Sequence, residues 1–451
     1  MELLKRKIDD FLLNWKSEPN HKPLIVKGAR QIGKTESIRS FARKNYKYII
    51  EINFVLQKQY KDIFDEGFEV DTIIKNITLH DPSIEVIPNE TLIFFDELQD
   101  CINCATSLKS FNQDKRYDVI CSGSMMGINY NEIESNSVGN KEDYEMHSMD
   151  FEEFLWAMNE QPLIDVIRLS FDKKKAMGQA LHRKAMTLFR QYVIVGGMPQ
   201  AVNTYIETRS FEKTDEIKRD ILSLYREDIA KHAKGYERKV ESVFDEIPEQ
   251  LSKHEKKFTL SSLGRGAKYR SYESSFLWLE DSMICNICYN STAPNVGIKL
   301  NRDRNTLKLY MGDTGLLISH AFDENGLVKE EIYKKLLLGK LEVNEGMVFE
   351  NVVAQMLTAS GHKLYFYSNS SRENKDERME IDFLIAKKDP TNRHNVSPIE
   401  VKSGKRYTYS SLGKFMNRFN AQLDVPYILH TADYAEKDGI VFIPVYWAWL
   451  L

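Results

Sequence analysis

The chain has 451 residues, 42% hydrophobic and 28% charged, and its 62 basic residues nearly balance 66 acidic ones for a formal net charge of −4. Overall charge therefore selects no polyanionic or polycationic partner, and five cysteines in so long a chain exclude a disulfide framework. No run approaches the roughly 18 apolar residues of a membrane span. The opening segment MELLKRKIDDFLLNWK reads as an amphipathic helix, not a secretory leader. A cytoplasmic protein of about two to four domains, without a membrane partner, is the expectation.

In chain order, HKPLIVKGA predicts a short buried strand, followed by a helix over about 34–44. KYIIEINF predicts a strand, then comes a helical stretch, the strand TLIFFDE, a helix through Leu108, and the strand DVICSGS. This alternation predicts a parallel sheet covered by helices on both faces. From Asp150 to about Ile247 the pattern is helical, and Val195-Gly196-Gly197-Met198-Pro199 ends one helix and starts another. The stretch 247–320 runs helix, turn, helix and two strand candidates, the order of a winged helix-turn-helix. The helical pattern VFENVVAQMLTASG then leads into four strand candidates, KLYFYSN, EIDFLIAK, SPIEVKSG and PYILHTA, which predict a second α/β domain. The polar stretches 131–147 and 368–380 read as loops.

Gly28-Ala29-Arg30-Gln31-Ile32-Gly33-Lys34-Thr35 fits G-x-x-x-x-G-K-[ST] between a strand and a helix. Backbone amides and the positive helix end would cradle phosphates, Lys34 would reach the β- and γ-phosphates, and Thr35 would ligand magnesium. The bland alternative, a structural glycine turn, does not require that strand–helix context. The strand at 91–95 ends in Asp96-Glu97, which predicts a magnesium carboxylate at Asp96 and a water-activating base at Glu97. Read alone, that acidic pair would merely cap a strand. Ser122 and Ser124 stand at the carboxyl end of a third strand, and Ser124 is the candidate γ-phosphate sensor against a simple turn former.

In the C-terminal region Glu400 and Lys402 share one strand face, with Asp382 on the preceding strand and Glu350 on the preceding helix. Carboxylates beside a lysine can hold a second divalent metal for phosphodiester attack, though acids and lysines are also common on solvated strands. Cys101-x-x-Cys104 and Cys285-x-x-Cys288 are spaced like zinc ligands but read better as buried core cysteines. Arg265, Lys268, Tyr269 and Arg270 could touch DNA phosphates or form an ordinary solvated face. The aromatic residues of FLWAM and YWAWLL read as core.

GARQIGKT, FFDELQD, SGS, MDFEEFL, GGMPQAV, LKLYMGDTGLL, FENVVAQML and EIDFLIAK…PIEVKSGK occur in that order along essentially the whole chain. In this the sequence resembles a prokaryotic family of AAA-type ATP-binding proteins with a C-terminal domain of unknown function. The resemblance implies an ATPase core over 1–148, a helical lid over 149–246, a winged-helix region over 247–330 and a restriction-endonuclease-like α/β domain over 331–451. It also implies that Glu350, Asp382, Glu400 and Lys402 match catalytic positions of that fold. One departure stands out: residues 137–141, Ser-Val-Gly-Asn-Lys, lack an arginine to reach a neighbouring subunit's nucleotide, which leaves a slow switch and a processive motor both open. The expected function is Mg-ATP hydrolysis driving a switch. The C-terminal part is either a coupled nuclease acting on double-stranded DNA or an inactive platform that docks nucleic acid or protein, with a homo-oligomer or protein partner left open.

Overall fold

The computed structural model describes residues 3–124, 139–295, 297–322, 329–337, 345–369, 377–387, 395–404 and 406–451. They divide into two compact units. The first comprises Met1–His147 with the short segments Lys231–Gly235 and Asp281–Met283, and the second comprises the rest.

The first unit opens with helix α1 (Lys7–Ser17), whose buried Ile8, Leu12 and Trp15 recur at helical spacing. Strand β1 (Leu24–Lys27) and helix α2 (Lys34–Asn45) flank the glycine-rich loop. Strand β2 (Tyr48–Asn53), helix α3 (Val70–His80), strand β3 (Thr91–Asp96), helix α4 (Ile102–Asp114) and strand β4 (Asp118–Gly123) follow the predicted alternation. Strand β5 (Glu142–Glu145) falls inside a stretch expected to be loop. Its sequence EDYE carries no apolar alternation, because it is an edge strand. The charges suit that position: Asp143 pairs with Lys27 at 2.7 Å and with Lys141 at 2.8 Å.

The sheet order is β2-β3-β4-β1-β5, all parallel. Every residue of β3 is buried, as a strand covered on both faces requires. Phe54 stacks on Phe95 at 5.7 Å within a core that includes Ile50, Ile52, Ile93 and Leu98. The register aligns Asn53 with Asp96, Asp96 with Ser122, and Gly123 with Lys27. The polar ends of four strands therefore lie along one carboxyl edge.

The second unit begins with helices α5 (Phe151–Ala157), α6 (Gln161–Asp172), α7 (Gln179–Val195), α8 (Pro199–Thr208), α9 (Phe211–His232) and α10 (Glu237–Ser252). Asp150 starts α5 through a reciprocal capping box with Glu153. Lys218, fully buried on α9, donates to the Ile194 carbonyl at 2.9 Å in the last turn of α7, where helix carbonyls lack partners. Helix α11 (Tyr269–Asp281), the hairpin of β6 (Cys285–Ser291) and β7 (Arg302–Met311), and helices α12 (Thr314–Ala321), α13 (Glu330–Leu337) and α14 (Glu345–Ala359) come next. Strands β8 (Tyr365–Asn369), β9 (Met379–Ala386) and β10 (Val396–Val401), helix α15 (Ser410–Phe419), and strands β11 (Tyr427–His430), β12 (Ala435–Lys437) and β13 (Ile440–Pro444) complete the unit.

The eight strands form one mixed sheet, ordered β12-β13-β11-β10-β9-β8-β6-β7. The expected boundary at residue 330 therefore falls inside a continuous sheet. The local order of turn, helix and hairpin is present, but β6 pairs in parallel with β8 (Tyr289 with Tyr365), so the hairpin extends the C-terminal sheet instead of standing as a free wing. The two cysteine pairs are buried, one in each unit, and Tyr446, Trp447 and Trp449 are core.

Four of the ordered motifs meet in one buried polar joint of the second unit. Asp313 accepts hydrogen bonds from the Gly197 amide at 2.6 Å and the Leu316 amide at 2.9 Å. Gln355 accepts from the Thr314 amide and donates to Ser148 and Tyr192. Asn351 bonds both backbone groups of Met311. A Cβ on Gly197 would lie 2.0 Å from the Met149 carbonyl oxygen, and one on Gly196 would lie 2.3 Å from Asp313. GGMP is thus a helix break whose glycines permit backbone contact, and the joint explains these motifs by packing alone.

Candidate functional site

The candidate site is built on the carboxyl edge of the first sheet, where open α/β sheets bind ligands. Between β1 and α2 the loop runs from Gly28 to Gly33. A Cβ on Gly28 would meet Ile32 Cδ1 at 2.3 Å and the Met146 carbonyl oxygen at 2.4 Å, so only glycine fits there. Gln31 (φ 68°) and Gly33 (φ 91°) take left-handed conformations that curl the backbone into the start of α2. Ala29 and Ile32 are buried, while Arg30 and Gln31 are exposed. Lys34 Nζ donates to the carbonyls of Gly28 (2.9 Å) and Ala29 (2.8 Å), which holds the ammonium against the loop.

Arg6, which the sequence reading did not single out, fastens this loop from below. Its buried guanidinium donates to the Ile32 carbonyl and the His147 carbonyl, each at 2.7 Å. A fork of rigid donors can bridge two such carbonyls at once.

Next to the loop, buried Asp96 gathers neutral donors. Thr35 Oγ1 lies 3.3 Å from its Oδ2, Asn53 Nδ2 donates at 2.9 Å, and the Ser122 hydroxyl donates to its Oδ1. Thr35 and Asp96, predicted as a magnesium pair, are thus brought together. Of the two candidate serines, Ser122 makes the contact; Ser124 is buried one step beyond the strand, and residues 125–138 that follow it lie outside the described residues. So do two residues of the 137–141 stretch.

Glu97 sits in a left-handed conformation (φ 59°) unusual for a branched-free acid in mid-chain, and such outliers concentrate at functional sites. Gln99 Nε2 donates to its carboxylate at 2.5 Å. Gly123 leaves room for that clamp: a Cβ there would lie 2.6 Å from Gln99 Oε1. Asn53 is a contributor that no motif advertises, and Gln99 lies within FFDELQD without a spacing that marks its role.

These groups fit a magnesium nucleotide. Thr35 and Asp96 supply hard oxygen ligands of the kind a magnesium ion uses sparingly while keeping its waters. The α2 start and Lys34 supply donors for phosphate.

The C-terminal residues assemble differently. Lys402 Nζ lies 2.6 Å from Glu400 Oε2, so these two do share a face. Glu350 and Asp382 lie close enough to this pair for their charges to act on it, and they also gather with Glu380 around Lys308, a lysine of β7. Its Nζ is 2.9 Å from Glu380, 3.7 Å from Glu350 and 3.9 Å from Asp382. Lys256 also pairs with Glu350. Burial works against ionisation of Glu350, yet Lys308 and Lys256 hold its carboxyl below the usual range. Burial, then the Glu350 charge, push Asp382 up to about 7. Among the described residues no three of Asp, Glu, His or Cys are arranged to share a metal ion. The expected second metal at Glu350, Asp382 and Glu400 is therefore not supported, because lysine ammoniums already neutralise the acids.

Comparison with known proteins agrees with the first unit. Residues 20–155 match the family described as AAA domain. Residues 186–325 and 345–448 match two families described as Domain of unknown function (DUF8612) and Domain of unknown function (DUF4143). No curated sequence relative matches the chain. Among solved structures, a Walker-type ATPase of Pyrococcus abyssi is 13% identical and covers 70% of this chain and 96% of its own, with a TM-score of 0.42. The Aeropyrum pernix ORC1 protein in complex with DNA is 12% identical over 72% of this chain and 94% of its own, with a TM-score of 0.25. CDC6P from Pyrobaculum aerophilum is 13% identical over 74% and 93%, with a TM-score of 0.23. Likenesses this distant carry no argument about activity. The loop geometry, the parallel sheet and the family match together define the N-terminal region as an AAA-type P-loop domain. The larger remainder is an α/β unit with a mixed sheet.

Proposed function

We propose that the protein is a Mg-ATP-dependent switch that hydrolyses ATP in its first unit and uses nucleotide state to control docking by its second. The observation that carries this reading is the convergence of Lys34, Thr35 and Asp96 at one sheet edge. Thr35 and Asp96 would hold a magnesium ion, which would supply charge neutralisation for the β- and γ-phosphates. Lys34 exchanges the Gly28 and Ala29 carbonyls for phosphate oxygens, and the loop amides supply further donors. Glu97, held by Gln99, orients water and takes its proton. Ser122 fixes the Asp96 carboxylate so that it faces Thr35.

Support for the docking reading comes from the buried polar joint and the continuous sheet, which tie the motifs of the second unit together by packing. Duplex DNA is the first partner to test, with Arg265, Lys268, Tyr269 and Arg270 as candidate phosphate contacts. Coupling to a metal-dependent nuclease at Glu400 and Lys402 is the less favoured alternative.

ATP turnover and nucleotide binding, measured for wild type and Lys34→Ala with and without duplex DNA, test the proposal while DNA integrity is followed in the same samples. Turnover lost in Lys34→Ala with intact DNA is the expected outcome. Wild-type turnover that Lys34→Ala leaves unchanged would refute the nucleotide site.

A further inference from the structure

We propose that Lys308 is the resident cation of the C-terminal carboxylate cluster, so that Glu350, Glu380 and Asp382 form a closed ion cluster that takes no divalent metal and the second unit does not cleave DNA by metal catalysis. Lys308 occupies the place of a metal ion. Lys308 is 1% exposed, and its ammonium is walled by the Phe366 ring at 5.0 Å. It lies within 4 Å of all three acids, among the oxygens that a shared ion would need.

Five of the six carboxylate oxygens are engaged as well. One oxygen of Glu350 meets Lys256, and the other accepts from Tyr310 at 3.1 Å and faces Lys308. One oxygen of Asp382 accepts the Val401 amide at 2.8 Å, and the other faces Lys308. Glu380 Oε1 takes the shortest contact to Lys308. Three carboxyl groups thus meet two ammoniums, and Asp382, pushed up to about 7, is only partly ionised near neutral pH, so the cations offset most of the negative charge; the neighbouring Glu400–Lys402 pair is neutral by itself. A dication on the same oxygens would stand against a buried ammonium that cannot swing into solvent, a repulsion that a poorly screened interior magnifies.

The cluster also does structural work, since it ties β7 to β9 and α14. A metal would do the same by coordination; here a side chain does it by charge. Lys308 lies 42 residues before Glu350, inside the LKLYMGDTGLL run, where nothing in the local spacing ties it to the acids, which is why the pattern of acids alone suggests a metal site.

The test uses the full chain without nucleotide, in an Asp96→Asn background that removes the nucleotide-site carboxylate, so that its outcome is independent of the ATPase reading. Lys308→Met should lower the melting temperature, and about 1 mM Mn²⁺ should raise it again by filling the seat. The parent and Lys308→Arg, which keep the cation, should show no Mn²⁺-dependent shift. Mn²⁺ stabilisation of the parent equal to that of Lys308→Met would overturn the proposal. Should Lys308→Met fail to fold, the count of bound Mn²⁺ by electron paramagnetic resonance decides. Equal counts in wild type and Asp382→Asn support the closed cluster, and one ion fewer in Asp382→Asn contradicts it, as does Mn²⁺-dependent nicking of plasmid that Lys402→Ala abolishes.

Discussion

The two units place the same kinds of residue at the ends of strands and obtain opposite results. In the first, the hydrogen-bond partners of Asp96 among the described residues are neutral, Thr35, Asn53 and Ser122, which leaves its carboxylate for a cation to complete. In the second, Glu350, Glu380 and Asp382 meet Lys308 and Lys256, so the charge is already answered. A carboxylate at a strand end is therefore only half a site. What stands opposite decides whether it recruits a metal or closes on itself.

Lys34→Ala should lower ATP turnover by about 10³-fold or more, since a charged donor to the phosphates is lost; a change under tenfold would remove the contrast at its root. Gly197→Ala should destabilise the second unit by about 3 kcal/mol or more in chemical denaturation, because a methyl group would collide with the Met149 carbonyl. Nucleotide binding by the first unit should survive that change. Glu97→Gln should keep ATP affinity while turnover falls on the order of 10²-fold, the range for a lost general base.

Burial lowers Lys218 to about 8 from an ordinary 10.5, against the opposing pull of Asp215 and Asp313. Between those values the unfolded chain binds more protons than the folded one. Wild-type stability should therefore gain on the order of 2 kcal/mol from pH 8 to 10.5 relative to Lys218→Met. Parallel pH profiles of the two proteins would contradict the burial of that charge. Ser122→Ala should weaken Mg-ATP binding by about tenfold or less, and Ser124→Ala by less still, because only Ser122 touches Asp96.

How much of this was legible in the sequence depended on whether the signal was local. The phosphate loop is contiguous, so its residues, the strand before it and the helix after it were readable, as were Asp96 and the helix break at Gly196-Gly197. Strand β5 escaped because an edge strand of charged residues has no apolar period. Arg6 escaped because its two acceptors lie 26 and 141 residues away. The role of Ser122 beside Asp96 escaped because it is set by register: pairing across β3 and β4 brings the two together, and that alignment cannot be counted from one strand alone. Lys308 was invisible for the same reason, since it reaches the acids only after β6 and β7 join the C-terminal sheet.

The measurement that tests the central contrast most directly is magnesium-dependent ATP hydrolysis by wild type and Asp96→Asn. Turnover that needs magnesium in wild type and falls on the order of 10²-fold or more in Asp96→Asn is the result this account predicts. Equal turnover in the two proteins would contradict it, because the carboxylate left open by its neutral neighbours would then hold no cation.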